Sequence, residues 1–297
     1  DYKHIGSRPV RPDGVDKVTG RAEFGGDVSL PGMIIGKILR SPHAHARIKS
    51  IDITDALAIP GVHAVITGED FPGGGISGEI DGEGGGSISD QAKNVIARDK
   101  VLYHGHALAA VAAISDRAAD RALDAIKVEY EVLSPVLDIL EAIDPDSTLV
   151  NENNYTKLPE KPDRPSNIAN VGNLVRGDIQ EGFERADVII EREYVCPMTH
   201  QGYIEPHSCL ASVDEEGKGT VWCSTQGHFE FRNQTASILK KNIADLKFVA
   251  KEIGGGFGGK TVVYLEPLEP PVQPLELLRE LRWVLRMTGK LLPRIHG

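Results

Sequence analysis

Cysteine is scarce. The chain has three, Cys196, Cys209 and Cys223, and no C-x-x-C pair. A disulfide scaffold, a thiolate zinc site and an iron–sulfur cluster are therefore excluded as organising features, and a reducing cytoplasm is the expected compartment. Long apolar runs are also missing: none nears the ~18 residues a membrane-spanning helix requires. The opening Asp1-Tyr2-Lys3-His4 lacks the basic-then-apolar order of a signal peptide. Basic charge is in deficit, 33 Lys and Arg against 43 Asp and Glu, for a net charge of −10. No basic face is available for nucleic acid. What is present, 40% apolar and 26% charged residues over 297 positions, suits one large or two ordinary globular domains.

Residues 1–14 read as an extended arm, and the proline- and glycine-rich composition continues to about residue 30. Strands are predicted at Met33–Arg40, Ala46–Ile53 and Val62–Ile66. Residues 68–99, with two Gly-Gly-Gly runs, read as one long mobile loop, either a flap or a solvated insertion. A doubly buried strand follows over Leu108–Ile114. A helix over Asp116–Ile126 follows, capped by Ser115 or Asp116, with Ala119, Ala122, Leu123 and Ile126 on one face. Val128–Val132 closes a strand–helix–strand unit. Residues 135–173, rich in Pro and Asn, read as a linker. Beyond residue 174 the pattern gives a strand at Val188–Cys196 and a hairpin of Cys209–Val213 with Thr220–Ser224. A helix at Arg232–Leu239 and a strand at Leu246–Ile253 follow. Residues 269–297 read as a proline-rich tail with a short amphipathic helix carrying Leu277, Leu278, Leu281 and Leu285.

The strand at Leu246 runs into Gly254-Gly255-Gly256-Phe257-Gly258-Gly259-Lys260-Thr261. This stretch satisfies both G-x-x-x-x-G-K-[ST] and G-x-G-x-x-G, patterns that let backbone N–H groups close around an anion. The residues after it suit neither use. Pro267 would stop a helix within two turns, and no further strand carries a Mg²⁺-binding or ribose-binding acid. Three readings stay open: a nucleotide loop, a tight backbone crossing, or a loop over a different anionic cofactor.

Five stretches, in order over about residues 6–268, together resemble one family. They are Arg11-Pro12-Asp13-Gly14-Val15-Asp16-Lys17-Val18-Thr19-Gly20; Ser41-Pro42-His43-Ala44-His45-Ala46-Arg47-Ile48; His200-Gln201-Gly202-Tyr203-Ile204-Glu205-Pro206-His207; Ser224-Thr225-Gln226-Gly227; and the glycine loop. The chain resembles the molybdopterin-binding large subunits of the molybdenum hydroxylases: xanthine dehydrogenase, aldehyde oxidoreductase and aerobic carbon monoxide dehydrogenase.

The resemblance implies an α+β chain. Its α/β hammerhead domain would span residues 15–134, and the first part of a molybdenum-cofactor domain residues 174–268. It implies a molybdenum pyranopterin cofactor, in the plain or the cytosine dinucleotide form. Gln226 matches the glutamine that reaches an oxygen ligand of the metal, with Gly227 beside it. Gly256, Phe257 and Gly258 match the segment that closes over the cofactor, with Gly258 expected to allow close backbone approach. Phe257 stays open as core or cofactor neighbour. Glu205, His200 and His207 would form a polar network under the pocket and not a metal site. His43 and His45 are candidate channel or interface contacts, or simply satisfied loop residues. Iron–sulfur (2Fe-2S) and FAD centres are implied on partner subunits. The general base is implied beyond the glycine loop, so the chain is expected to be an N-terminal part, inactive alone. A truncated or frame-disrupted chain, a natural split subunit, and a cofactor-free fragment that binds partners all remain open. Thr261 stands where purine-oxidising members carry an acid, which points to an aldehyde or another heterocycle as the small-molecule substrate.

Overall fold

A computed structural model describes residues 3–72, 78–80, 86–197, 199–265 and 284–288. The contact pattern divides the chain into two units, residues 1–132 with 201–297, and residues 133–200.

In the first unit the arm is not wholly extended. Gly14–Thr19 forms helix α1, and Lys17 pairs with Asp13 and with Glu252, each at 2.9 Å. Phe24 bridges Glu252, and Lys251 pairs with Glu23 at 2.5 Å. The arm is thus pinned to residues that closely precede the glycine loop. Strand β1 (Met33–Arg40) follows, then β2 (Ala46–Asp52), helix α2 (Thr54–Leu57) and β3 (Val62–Thr67). The expected loop over 68–99 holds more structure than its composition predicts. It has a short ladder of β4 (Glu79–Ile80) with β5 (Gly86–Ser87), then helix α3 (Ile88–Val95), whose cap Ser87 accepts from Asp90 N at 3.0 Å. The two glycine runs fall mostly on 73–77 and 81–85, outside the described residues. Strand β6 (Lys100–Val101) leads to β7 (Ala107–Ala113).

Strand β7 is buried on both faces, as its apolar run predicts. Ala109, Val111 and Ala113 pack under helix α4 (Asp116–Ala125), against Ala118, Ala119 and Ala122. Their small side chains allow close helix–sheet approach. Ser115 caps α4, accepting from Ala118 N at 3.2 Å. Strand β8 (Lys127–Val132) does not rejoin the sheet of β7. It pairs antiparallel with β2 in a separate three-stranded sheet of order β6-β2-β8.

Residues 133–200 form the second unit. Helices α5 (Ile139–Ile143) and α6 (Ile179–Glu184) are capped by Asp138 and Asp178. The Pro/Asn-rich segment is tied by its own side chains: Asn154 Nδ2 donates to Ser166 O at 2.6 Å, and Val150 N to Asn167 Oδ1 at 2.9 Å. The strand expected at Val188–Cys196 is irregular backbone. Its β-branched run meets no ladder partner among the described residues, and strand propensity without pairing leaves backbone groups unsatisfied. Ile190, Tyr194 and Val195 are exposed.

The chain returns to the first unit with the expected hairpin, β9 (Ser208–Val213) and β10 (Gly219–Cys223), closed by Asp214 Oδ1 accepting from Lys218 N at 2.9 Å. Helix α7 (His228–Ile238) crosses to β11 (Leu246–Ala250), which lies parallel to β10. Strand β12 (Val284–Thr288) completes a seven-stranded sheet of order β11-β10-β9-β12-β1-β7-β3. Leu285, expected on a helix, therefore lies in a strand. Hydrogen bonding to β1 and β9 on its two sides outweighs the helical spacing of the leucines. The remainder of that expected helix lies outside the described residues.

Candidate cofactor-binding site

Strands β10 and β11 run parallel, with α7 as the crossover between them. The turns after both strands therefore open on one edge, the usual ligand edge of such a unit. Gln226 and Gly227 follow β10, and the glycine loop follows β11.

Two side-chain oxygens hold that loop. Glu205 Oε2 accepts from Gly254 N at 2.7 Å and from Lys260 Nζ at 2.7 Å, so both ends of the loop meet one carboxylate oxygen. Lys260 is 0% exposed, and its ammonium lies 4.9 Å from the centroid of the Tyr203 ring. Tyr203 Oη is 2.8 Å from His207 Nε2, and the His207 ring packs edge-on to Tyr264 at 4.5 Å. Glu205 Oε1 is buried without a hydrogen bond among the described residues.

The second oxygen is Gln226 Oε1. It accepts from Gly258 N at 2.9 Å and Lys260 N at 3.2 Å. Gln226 N and Thr225 Oγ1 both donate to Lys260 O, at 2.9 and 3.3 Å. A Cβ on Gly256 would stand 2.6 Å from Gln226 Oε1, so any larger residue there must displace the Gln226 side chain. Gly258 departs from expectation: no heavy atom lies within 4 Å of a Cβ built on it, and it needs glycine for its φ of +88° instead. Phe257 is 72% exposed with φ +50°, so it is a tip residue and not core. A left-handed aromatic residue holds about 1–3 kcal/mol of strain, which such sites often store. Gly227 sits at the N-terminus of α7.

Gln226, Gly256 and Gly258 are thus in mutual contact, with Phe257 between the two glycines. Glu205 and His207 join the network through Lys260 and Tyr203. His200, exposed, belongs to residues 133–200. His43 lies elsewhere, edge-on to Tyr130 at 4.8 Å. Among the described residues no group of three or more His, Cys, Asp or Glu side chains is placed to hold a metal ion.

Sequence reasoning missed Gln91 and Gln234. Val263 N donates to Gln234 Oε1 at 2.9 Å, and Gln91 Nε2 donates to Val263 O. Nothing in sequence spacing marks a side chain that bonds a backbone 29 or 172 positions away. His106 was also missed. It is fully buried, with Nε2 2.9 Å from Lys93 O and Nδ1 accepting from Leu102 N, and burial pushes its pKa down to about 4.

A parallel βαβ unit with a glycine loop is an arrangement that can hold an anionic cofactor on backbone N–H groups. The pattern described as the a/b hammerhead domain of aldehyde oxidase and xanthine dehydrogenase matches residues 19–134. That of the molybdopterin cofactor-binding domain matches residues 160–296. The nicotinate dehydrogenase large molybdopterin subunit of Eubacterium barkeri is 34% identical over 88% of this chain and 56% of its own length. The carbon monoxide dehydrogenase large chain of Afipia carboxidovorans is 30% identical over 94% of this chain and 34% of its own. The crystal structure of quinoline 2-oxidoreductase from Pseudomonas putida 86 superposes with a TM-score of 0.75 at 25% identity, over 97% of this chain and 35% of that one. The chain belongs to the molybdenum hydroxylase family, as a molybdopterin-binding large subunit. It spans between about a third and a little over half the length of these relatives.

Proposed function

We propose that Gln226 and Gly256–Gly258 form one wall of a molybdopterin pocket, in an enzyme that hydroxylates an aldehyde or an aromatic heterocycle with oxygen from water. The observation that carries this reading is the orientation of the Gln226 amide. Two backbone N–H donors on Oε1 fix which end is oxygen. The Nε2 donor is left on an exposed side chain, with no acceptor among the described residues. A neutral amide donor suits an acceptor atom of the cofactor, because it donates without competing as a metal ligand. The Gly256 backbone supplies the cradle that lets that amide lie flat against the loop. When bound, the molybdenum centre supplies the two-electron acceptor for the oxidation.

Thr261 supports a non-purine substrate: its hydroxyl is spent on Gly258 O at 2.9 Å, and it brings no acid to the site. No disulfide joins the cysteines among the described residues, and two of them are buried in β9 and β10, which suits a reducing, cytoplasmic setting. Too few thiolates are present for a 2Fe-2S cluster, so that centre is assigned to a partner subunit, and the FAD is assigned to a partner with it. The general base is assigned to the part of the large subunit that the relatives have and these residues do not match. The cytosine dinucleotide form is the cofactor variant to test first. A nucleotide loop is disfavoured, since its phosphate-gripping lysine would be Lys260, which is buried on Glu205.

The test is purification from a host that makes the cofactor, with molybdenum and oxidised pterin measured per chain. Gln226→Ala should lower both severalfold. Mg²⁺-dependent ATP binding at micromolar concentration, abolished by Lys260→Ala, would overturn the reading.

A further inference from the structure

The segment that leaves the glycine loop has no strand beside it among the described residues, yet Val263 is fully buried. A buried backbone amide and carbonyl must each find a partner. Here both partners are glutamine side chains from different helices. Gln234, fully buried on α7, accepts from Val263 N at 2.9 Å, and its own Nε2 is fixed by Glu230 Oε1 at 3.1 Å. Gln91, buried on α3, donates to Val263 O.

The placement matters because of what lies three to five residues upstream. Lys260 N and Gly258 N are the two donors that orient Gln226. Gln226 itself lies in the turn just before Gly227, the N-cap of α7, the helix that carries Gln234. The turn that leads into α7 and the helix itself therefore hold the loop exit at two points, through Gln226 and Gln234. The Gln91 bond adds a third grip, from a helix far away in sequence. A shift of Val263 along its own axis would carry Lys260 and Gly258 with it and turn the Gln226 amide.

We infer that Gln91 and Gln234 are positioning residues for the cofactor wall: they fix the backbone of residues 258–263 and through it the aim of Gln226. This rests on the reading of Gln226 given above, and the two separate under test. Both glutamines are buried and bonded within the protein. Each acts through a main-chain group.

The experiment is amide hydrogen exchange, read by mass spectrometry on the purified chain, with pterin content measured in parallel. Gln91→Met and Gln234→Met keep side-chain length and remove the hydrogen-bonding groups. Each should speed exchange at Gly258 and Lys260 by about tenfold or more, while protection across β7 stays at the wild-type level. A merely structural role would loosen β7 together with the loop, or Val263 alone. Gln226→Ala should free Gly258 and Lys260 but leave Val263 protected. Wild-type exchange at Gly258 and Lys260 in both Met variants overturns the inference. If Gln234→Met loses β7 protection, Gln91→Met and the isosteric Gln91→Glu decide the matter. Faster exchange with unchanged pterin in all variants, Gln226→Ala included, keeps the positioning role and removes the reading of Gln226 as a cofactor contact.

Discussion

Lys260 Nζ lies 2.7 Å from Glu205 Oε2, with the lysine wholly removed from solvent. Breaking such a pair strands a buried charge, which costs about 3–5 kcal/mol. Glu205→Ala and Lys260→Ala should each lower unfolding free energy by about that much. The double variant Glu205→Leu with Lys260→Met should lose far less. Urea titration of the three proteins checks this. Equal losses in the single and double variants would mean that the charge pair is not what matters.

The glycines of the loop should not be interchangeable. Gly256→Ala puts a methyl group into the Gln226 amide, so pterin content should fall sharply. Gly258→Ala has room but must hold a positive φ, at a cost of about 1–2 kcal/mol. It should weaken the loop without abolishing cofactor retention. Pterin measurements on the two variants separate steric from conformational demand.

Stability should fall in mild acid. His106 is held neutral by burial, with its pKa down at about 4 against an ordinary 6.5. As pH falls, the unfolded chain takes up its proton first. The contribution is present above about pH 6.5 and is lost between there and about pH 4, reaching about 3 kcal/mol. In His106→Gln that part of the pH slope should vanish. Chemical denaturation at pH 7, 6, 5 and 4 gives the slope.

Thiol labelling should stop at one site per native chain. Cys196 is exposed, whereas Cys209 and Cys223 are buried, and burial holds the Cys223 thiol up at about 12. Iodoacetamide followed by peptide mapping should find Cys196 alone, and all three positions in urea.

Substrate-dependent dye reduction by the chain alone should be absent, because no general base and no electron carrier is assigned to these residues. General acid–base catalysis by itself contributes about 10²–10⁴-fold. Turnover by the purified chain with an aldehyde or heterocycle would refute this assignment.

Much of the scaffold was legible because local and tertiary preferences agree. Met33–Arg40 is mostly apolar, rich in isoleucine, and pairs, Asp116–Ala125 has its cap and its alanine face, and the β9–β10 turn has its Asp and Gly. Gln226 and the glycine loop were readable as a motif, although their contact was not, since it joins two turns after separate strands. Failures fall where distant partners decide. Helix α3 is a polar sequence made helical by its Ser87 cap and its packing on α7. Leu285 follows a helical pattern and is drawn into a sheet gap. Val188–Cys196 has strand composition without a strand beside it among the described residues.

The main core joins Ile34, Ile66 and Ile88 to Phe231, Val263 and Leu265, while residues 133–200, a unit of their own, intervene in sequence between the two contributing stretches. Time on the ribosome follows from this. At about 5–20 residues per second, the first 132 residues wait on the order of ten seconds for their complement to be synthesised. Through that interval Ile34, Ile66 and Ile88 lack the part of their cover that Phe231, Val263 and Leu265 supply. The N-terminal stretch therefore waits with an incomplete core, and its folding yield should depend on elongation rate across residues 133–265.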